Sequence, residues 1–276
     1  GRDLDRLYPE KRAVPSDEVV LDVCGLSEPG TIEDVTFQVR AGEVVGVFGL
    51  MGAGRSEMAR IVFGLDPHHA GTVQVKGKQR PKVSPRTQIN AGMGFVTEDR
   101  RNEGLLMDTS VVGNIGLAVL TRFATGLGLV KQGSLRSAAL GAGERLNLKS
   151  TRPDRQPVRS LSGGNQQKAV IAKWLLIEPE VLILDEPTRG IDVGAKHEVY
   201  SVIDELAQQR TGVLLISSEL PELLGTCDRI LVMRRGEIEA EFTAAEFDET
   251  RILAAAFGQL VDAAGPEQDP RSGKAN

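Results

Sequence analysis

The sequence feature that most restricts the fold is a short aliphatic run that ends in two carboxylates. Residues 181–184 are Val-Leu-Ile-Leu, and Asp185 and Glu186 follow directly. A continuous apolar run of this length is typical of a strand that is buried on both faces of a parallel sheet. Carboxylate oxygens at the tip of such a strand can bind a hard metal ion or hold a water molecule. The run therefore predicts an α/β fold with a polar site at one edge of its sheet.

A polar, glycine-containing octet lies shortly before this run. Residues 161–168 are Leu-Ser-Gly-Gly-Asn-Gln-Gln-Lys, and a helical stretch follows them. The start of a helix carries unpaired N–H donors and a partial positive charge, so an anion binds there readily. Gly163 and Gly164 let a large ligand approach the backbone, and Ser162 adds a hydroxyl group. The octet is therefore a candidate anion-binding site rather than a core element.

A second glycine-rich segment follows the apolar run Val44–Phe48. It is Gly-Leu-Met-Gly-Ala-Gly-Arg-Ser-Glu at residues 49–57, and a helix is expected to continue to about Phe63. Strand, glycine-rich loop and helix form the context that a phosphate-binding loop requires, and Ser56 can offer its hydroxyl to Mg²⁺. The alternative is a strand-to-helix turn that merely needs glycines.

The glycine-rich segment departs from the usual phosphate-loop pattern at two positions. Arg55 stands where a lysine is expected, and Glu57 stands where a second hydroxyl is expected. A planar guanidinium does not replace a compact ammonium neutrally between two phosphates. A carboxylate about 4 Å from the anion costs about 4 kcal/mol at an effective dielectric constant of about 20. The sequence thus predicts a nucleotide site but leaves its affinity open.

Charge and composition exclude few functions. The formal net charge is −5, with both signs spread along the chain, which argues against a nucleic-acid-binding surface. Cys24 and Cys227 lie outside any metal-binding spacing, so we expect reduced thiols in a cytosolic protein. Since no apolar run approaches the roughly 20 residues that cross a bilayer, we expect a soluble chain whose membrane role comes through a partner.

The order of the patterns predicts the domain organisation. Residues 1–16 are polar and charged and are expected to be an inter-domain linker, and residues 17–262 to form one domain. Within this domain, the alternation of apolar and polar residues that is typical of strands is absent from about 105–160. A helical subdomain is expected there, before the motif at 161–168. A last helix is expected at about 249–261, and residues 263–276 are expected to be a disordered tail.

Together these motifs resemble those of the ABC-transporter ATPases. The closest resemblance is to the C-terminal nucleotide-binding domain of bacterial monosaccharide importers of the ribose/galactoside/xylose type. It rests on the two glycine-rich segments, on Thr-Glu-Asp-Arg-Arg at 97–101 and on Pro-Thr-Arg-Gly-Ile-Asp-Val-Gly-Ala-Lys at 187–196. The resemblance implies a P-loop NTPase with a RecA-like mixed sheet, an antiparallel β subdomain and an inserted α-helical subdomain.

The resemblance also implies roles for particular residues. ATP would be bound by the phosphate loop, at Gly49, Gly52, Ala53, Gly54, Arg55, Ser56 and Glu57. Ser56 and Asp185 would bind Mg²⁺, and Glu186 would be the catalytic carboxylate that orients the attacking water. Asp192 would belong to the D-loop, the segment that follows the carboxylates. The signature motif would act in trans on the ATP of a partner domain, through Leu161, Ser162, Gly163, Gly164, Asn165 and Gln166.

Two further positions depart from the resembled family. Its Q-loop, the segment that faces the membrane domain, begins with glutamine, and Glu98 occupies that position here. Its switch histidine, which contacts the γ-phosphate, is replaced by Ser218. Glu98 could still bind Mg²⁺ through its oxygens, although the alternative is a solvated charge run after a strand. A site with these changes is expected to bind nucleotide and to hydrolyse it slowly.

The resemblance implies partners and a location. The implied partners are the N-terminal ATPase domain of the same full-length protein, a transmembrane sugar permease that contacts the Glu98 loop, and indirectly a periplasmic sugar-binding protein. The implied location of this chain is the cytoplasmic face of the bacterial inner membrane. One alternative is a non-hydrolysing or regulatory module that only completes the partner's ATP site. Another is a soluble ABC protein acting on ribosomes or DNA, for which basic arms would be expected, whereas residues 1–16 are mixed in charge.

Overall fold

The computed structural model describes residues 8–9, 11–79, 83–126 and 128–259 of the 276-residue chain. The predicted tail, residues 263–276, lies outside these ranges. Within them, no helix combines the length and the apolar character that crossing a membrane would require.

An antiparallel sheet covers one side of the molecule. Its strands are β1 (Val19–Glu28), β2 (Ile32–Arg40), β4 (Ala70–Val75) and β5 (Lys78–Gln79), in the order β2-β1-β4-β5. Buried and exposed residues alternate along much of β2, as expected for a strand with one face on the core. This sheet is the predicted antiparallel β subdomain.

The central sheet is mixed, and its inner strands are buried. Its described strands are β3 (Val44–Gly49), β6 (Met93–Val96), β7 (Val181–Asp185), β8 (Gly212–Ile216), β9 (Arg229–Arg234) and β10 (Glu237–Thr243). They lie in the order β10-β9-β3-β8-β7-β6, and the pairings are parallel except that between β9 and β10. All residues of β3, β6, β7 and β8 are buried. Because parallel strands are aligned, the segments that follow β3, β7 and β8 meet at one edge of the sheet.

Helices cover this sheet as the apolar patterns predict. They are α1 (Arg55–Phe63), α2 (Pro85–Asn90), α6 (Val193–Gln208), α7 (Leu220–Thr226) and α8 (Glu249–Phe257). The buried residues of α6 include Val199, Val202, Ile203 and Leu206, which recur at helical spacing. The last helix ends earlier than the predicted 261, because Gly258 adopts a left-handed conformation with φ 70° and terminates it.

The helical subdomain lies between β6 and β7, as predicted. It contains a π-helical turn at Arg100–Gly104, α3 (Val111–Gly116), a 3₁₀ segment at Leu117–Phe123, α4 (Gln132–Arg145) and a 3₁₀ turn at Val158–Ser160. Helix α5 (Gly163–Leu175) follows and returns the chain to the sheet. The octet 161–168 therefore forms the beginning of α5, and the structure confirms the predicted fold class.

Candidate functional site

The glycine-rich segment 49–57 joins β3 to α1 and has a shape that requires its glycines. Gly52 and Gly54 have φ of 79° and 95°, in the left-handed region that side chains rarely adopt. At Gly49, a Cβ atom would lie 2.5 Å from the carbonyl oxygen of Met233. Ala53, between the two left-handed glycines, is buried. The loop is held close to the sheet, and no described side chain caps the N-terminus of α1, so its first N–H groups are not occupied by a capping side chain.

Two side chains at the sheet edge have the chemistry of a cation site. Asp185 is 2% exposed, and the hydroxyl of Ser56 hydrogen-bonds to its carboxylate. Burial raises the pKa of Asp185 to about 6. Within the described residues, its Oδ1 atom has no hydrogen-bond partner. Because a buried carboxylate oxygen without a donor is costly, this arrangement suits a bound cation.

Glu186 contacts two of the four residues at which the sequence departs from the resembled pattern. Arg55 Nη1 lies 3.6 Å from Glu186 Oε1, and both side chains are largely buried. The hydroxyl of Ser218 donates to Glu186 Oε2 over 3.2 Å. Glu186 also has φ 48°, and its N–H donates to Ile216 O. The arginine of the phosphate loop is thus paired with the carboxylate, a contact that the sequence analysis did not anticipate.

A cavity of about 590 Å³ adjoins the phosphate loop at Gly52. Its described lining includes Thr31, Ile32, His69 and Arg235 and contains no phenylalanine, tyrosine or tryptophan. The volume suffices for the nucleoside of a ligand whose phosphates lie in the loop. Glu57 at the end of the loop is exposed, so its charge is screened by solvent more than the sequence analysis assumed.

The octet 161–168 combines a buried anchor with an exposed tip. Leu161 is 9% exposed and Gln166 is 1% exposed, and the Gln166 amide donates to Leu161 O over 3.2 Å. Ser162 is exposed and caps α5, since its Oγ accepts from the N–H and the side-chain amide of Asn165. At Gly164, a Cβ atom would lie 3.0 Å from Ala195 Cβ. The sequence therefore folds so that the hydroxyl and the helix start face outwards.

A cavity of about 270 Å³ opens beside this helix start. Ser162, Gly164, Asn165 and Asp192 line it, and none of its described lining residues belongs to the phosphate loop. Asp192 is exposed and caps α6 by accepting from Ala195 N over 2.9 Å. The octet thus lines a cavity that is separate from the phosphate loop of the same chain.

Charged residues connect the loop after β6 with the segment after Glu186. Glu98 forms an ion pair with Arg189, so its carboxylate is directed towards the predicted D-loop. Arg100 Nη1 donates to Arg189 O over 3.0 Å, and its Nη2 lies 3.1 Å from the position of a Cβ atom on Gly163. The sequence analysis missed these contacts. Their only signal was the charge run 97–101, which does not identify its partners.

A groove of about 250 Å³ lies on the other side of the loop after β6. Phe63, Phe95 and Trp174 form its apolar floor, and Lys173 lies beside them. The Lys173 ammonium donates to Gly104 O over 2.8 Å and lies 4.9 Å from the centroid of the Trp174 ring. Burial lowers the pKa of Lys173 to about 8.

Replacing this buried lysine is expected to stabilise the fold. The lower pKa in the folded state means that the buried charge costs about 3 kcal/mol at neutral pH, and that stability rises with pH from about 8 to 10.5. Lys173→Met should raise the free energy of unfolding at pH 7 by about 1–3 kcal/mol and flatten this pH dependence, as measured by urea unfolding.

A matched control is Lys168→Met, which removes a buried ammonium that has a partner. Lys168 is 5% exposed and forms an ion pair with Glu198, so its loss should destabilise the fold. A Lys173→Met protein that is less stable than the parent at pH 7, or that keeps the alkaline slope, would contradict the expectation.

Comparison with known proteins agrees with this geometry. Residues 32–189 match the family model described as "ABC transporter". A ribose import ATP-binding protein of Streptomyces avermitilis is 49% identical over 261 residues, which are 95% of this chain and 51% of that protein. Another, from Bacillus subtilis, is 46% identical over 258 residues, 94% of this chain and 52% of that protein. The chain thus spans about half the length of these curated relatives.

Solved structures show the same fold. A dimeric ATP-binding cassette in a post-hydrolysis state, bound to ADP and phosphate, has a TM-score of 0.71 at 21% identity, covering 82% of this chain and all of that one. Another cassette, in an ADP conformation, has a TM-score of 0.69 at 21% identity and covers 87% of this chain and 99% of that one.

A phosphate loop, paired carboxylates at the sheet edge and a glycine-rich helix start define a nucleoside triphosphatase fold. The chain belongs to the ABC transporter family, and it is similar to about half the length of ATP-binding proteins of ribose import. Proteins of this class are ATPases.

Proposed function

We propose that this chain is the second ATPase domain of a monosaccharide importer of the ribose type, and that it presents residues 161–166 to ATP bound by a partner domain. The observation that carries the proposal is the exposed helix start at Ser162, which opens on a cavity separate from the chain's own phosphate loop. The N–H groups of Gly163 and Gly164 and the Ser162 hydroxyl would stabilise charge on the γ-phosphate of that ATP.

The chain's own phosphate loop would bind a second nucleotide. Residues 49–57 would surround its phosphates, and the cavity at Gly52 would take its nucleoside. Ser56 and Asp185 would hold Mg²⁺, since Asp185 has a buried oxygen without a donor. The described residues contain no cluster of three or more histidine, cysteine or acidic side chains suited to a metal ion. The other Mg²⁺ ligands would therefore come from the nucleotide and from water, as this ion favours.

Hydrolysis in this site would be slow because its catalytic carboxylate is engaged. Glu186 would orient or deprotonate the attacking water, but Ser218 donates to one of its oxygens and the Arg55 guanidinium lies 3.6 Å from the other. ATP would have to draw the Arg55 guanidinium towards its phosphates before Glu186 is free. A serine at the switch position supplies a hydroxyl but no cationic or imidazole group for the γ-phosphate. Binding with little turnover would follow.

Coupling to transport would occur at the groove beside the Glu98 loop. Its floor of Phe63, Phe95 and Trp174 suits the apolar face of a short helix, and Arg60 and Glu103 at its rim suit polar contacts. We propose that a cytoplasmic helix of a sugar permease lies there, at the cytoplasmic face of the bacterial inner membrane. A periplasmic sugar-binding protein would deliver the sugar to that permease.

The proposal is tested by measuring Mg-ATP binding and hydrolysis by this chain alone and then together with its proposed N-terminal companion domain. We expect slow hydrolysis by the lone chain and at least about 10-fold faster total hydrolysis in the pair, because each signature motif then completes the other domain's site. Full-rate hydrolysis by the lone chain would contradict the proposal that its own site is impaired.

A second candidate function is a module that binds nucleotide without hydrolysing it and only completes the partner's site. The Arg55–Glu186 pair favours it, since it engages the catalytic carboxylate. Glu186→Gln distinguishes the two candidates when it is introduced into the pair of domains. If total ATP hydrolysis by the pair is unchanged, this chain has the non-hydrolysing role. If the slow hydrolysis that we assign to this chain's own site is lost, that site hydrolyses ATP.

A further inference from the structure

A short segment ahead of β1 packs against the domain. The ring of Tyr8 lies 5.1 Å from the ring of Tyr200 on α6, measured between centroids. A Cβ atom on Gly225 of α7 would lie 2.5 Å from two carbons of the Tyr8 ring. Only glycine at position 225 therefore leaves room for Tyr8 between the two helices. We call residues 8–16 the strap; residue 10 lies outside the described ranges.

Two carboxylates of the domain hold the rest of the strap. Asp204 on α6 is 7% exposed, and its Oδ1 accepts from the N–H groups of Arg12 and Ala13 over 3.0 and 3.3 Å. The Lys11 ammonium lies 2.6 Å from Asp228, whose other oxygen accepts from Val44 N over 2.8 Å. These contacts join the strap to α6 and to the start of the strand that leads into the phosphate loop.

A buried carboxylate lies beneath the two tyrosines. Glu222 on α7 is 1% exposed, and its Oε1 accepts from Thr188 Oγ1 over 2.8 Å. Burial raises the pKa of Glu222, an effect that Ser217, Thr188 and Tyr200 beside it partly offset, and within the described residues its Oε2 atom has no hydrogen-bond partner. Gly225, against which Tyr8 packs, lies three residues after Glu222 on the same helix. Burial and the charge of Glu222 together raise the pKa of Tyr8 to about 12.

Two residues near Glu222 belong to the segments on either side of Glu186. Thr188 is 2% exposed and lies in the segment between Glu186 and Asp192. Ser217 is 0% exposed and directly precedes Ser218, the donor to Glu186. The Thr188–Glu222 hydrogen bond thus joins the segment that contains the predicted D-loop to the helix that follows the switch position.

We propose that Glu222 and Tyr8 are positioning residues of the ATPase site: Glu222 fixes the D-loop relative to the switch position, and Tyr8 of the strap keeps Glu222 and its hydrogen bonds shielded from water. The part that concerns hydrolysis rests on the proposed function. When whatever precedes the strap pulls it away, Tyr8 leaves Gly225, water reaches Glu222, and the hydrogen bond between Thr188 and Glu222 weakens. The geometry of this site would thereby depend, through the strap, on the position of the preceding domain.

The test measures amide hydrogen exchange of the complete 276-residue chain by mass spectrometry. Tyr8→Ala and Gly225→Ala should each speed exchange in segments 187–192 and 217–220 by about 10-fold or more, because both remove Tyr8 from its place. Tyr8→Phe keeps the ring and should stay within about 2-fold of the parent. Gly141→Ala, where a Cβ atom meets nothing within 4 Å, is the control for an unrelated glycine substitution.

Two further variants separate positioning from general stability. Glu222→Gln keeps an acceptor for Thr188 and should preserve slow exchange in segment 187–192, whereas Glu222→Leu should not. In the pair of domains, Tyr8→Ala should lower kcat and leave KM for Mg-ATP unchanged. The proposal would be overturned if Tyr8→Ala and Gly225→Ala left exchange in segments 187–192 and 217–220 at the parent rate. It would also be overturned if these variants raised exchange equally in the helical subdomain. The exchange measurement needs no turnover, so it can succeed even where the proposed function fails.

Discussion

Replacing Ser162 with arginine is expected to lower ATP hydrolysis by the pair of domains about 100-fold or more, while this chain still binds Mg-ATP with its parent affinity. Loss of one donor to a developing phosphate charge costs about 100- to 1,000-fold in rate, and a long side chain at this exposed position also blocks the approach of the partner's triphosphate. The affinity should stay within about 2-fold because the cavity at Ser162 shares no described residue with the phosphate loop.

The control for this experiment is Ser110→Ala in the same subdomain. Ser110 caps α3 by accepting from Gly113 N over 3.1 Å, much as Ser162 caps α5. Both substitutions should therefore cost about 1 kcal/mol of stability through the lost cap. Only Ser162→Arg should stop hydrolysis. Parent-like hydrolysis by Ser162→Arg would show that residues 161–166 do not act on a partner's ATP.

Restoring the usual phosphate-loop residues with Arg55→Lys and Glu57→Thr is expected to raise the affinity of the lone chain for Mg-ATP by at least about 10-fold. Two effects contribute. A lysine ammonium is compact enough to lie between phosphates instead of pairing with Glu186, where Arg55 lies 3.6 Å from the carboxylate. Removing Glu57 takes a like charge away from the anion, though its exposure limits this gain to about 1 kcal/mol.

Calorimetric titration with Mg-ATP measures this gain, and Arg60→Lys is the matched control. Arg60 lies on the same helix, but its ion pairs are with Asp66 and Glu103, so its replacement should leave the affinity within about 2-fold. Hydrolysis by the double variant should also rise, because Glu186 loses its competing cation. If the double variant binds Mg-ATP no more tightly than the parent, the cause of weak nucleotide binding lies elsewhere, at Glu98 or Ser218.

Local patterns determined most of the architecture. The apolar runs at 44–48, 181–184 and 212–216 predict buried strands, and all three are strands of the central sheet. The glycines at 52 and 54 predict a curled loop before a helix, and both adopt left-handed backbone angles there. These features depend on side-chain periodicity and backbone sterics among residues that are neighbours in sequence. Each segment by itself therefore carries enough information to predict its own secondary structure.

The sequence by itself therefore determined the class of fold, and it predicted the residues of the candidate site. Only the tertiary structure decided which side chains meet. Arg55 pairs with Glu186, Glu98 with Arg189, and Thr188 with Glu222, each across a long stretch of chain. The physical reason is that a charged residue has many partners of opposite sign in the sequence. The folded backbone brings only one or two of them within reach, and burial strengthens the interaction between those charges.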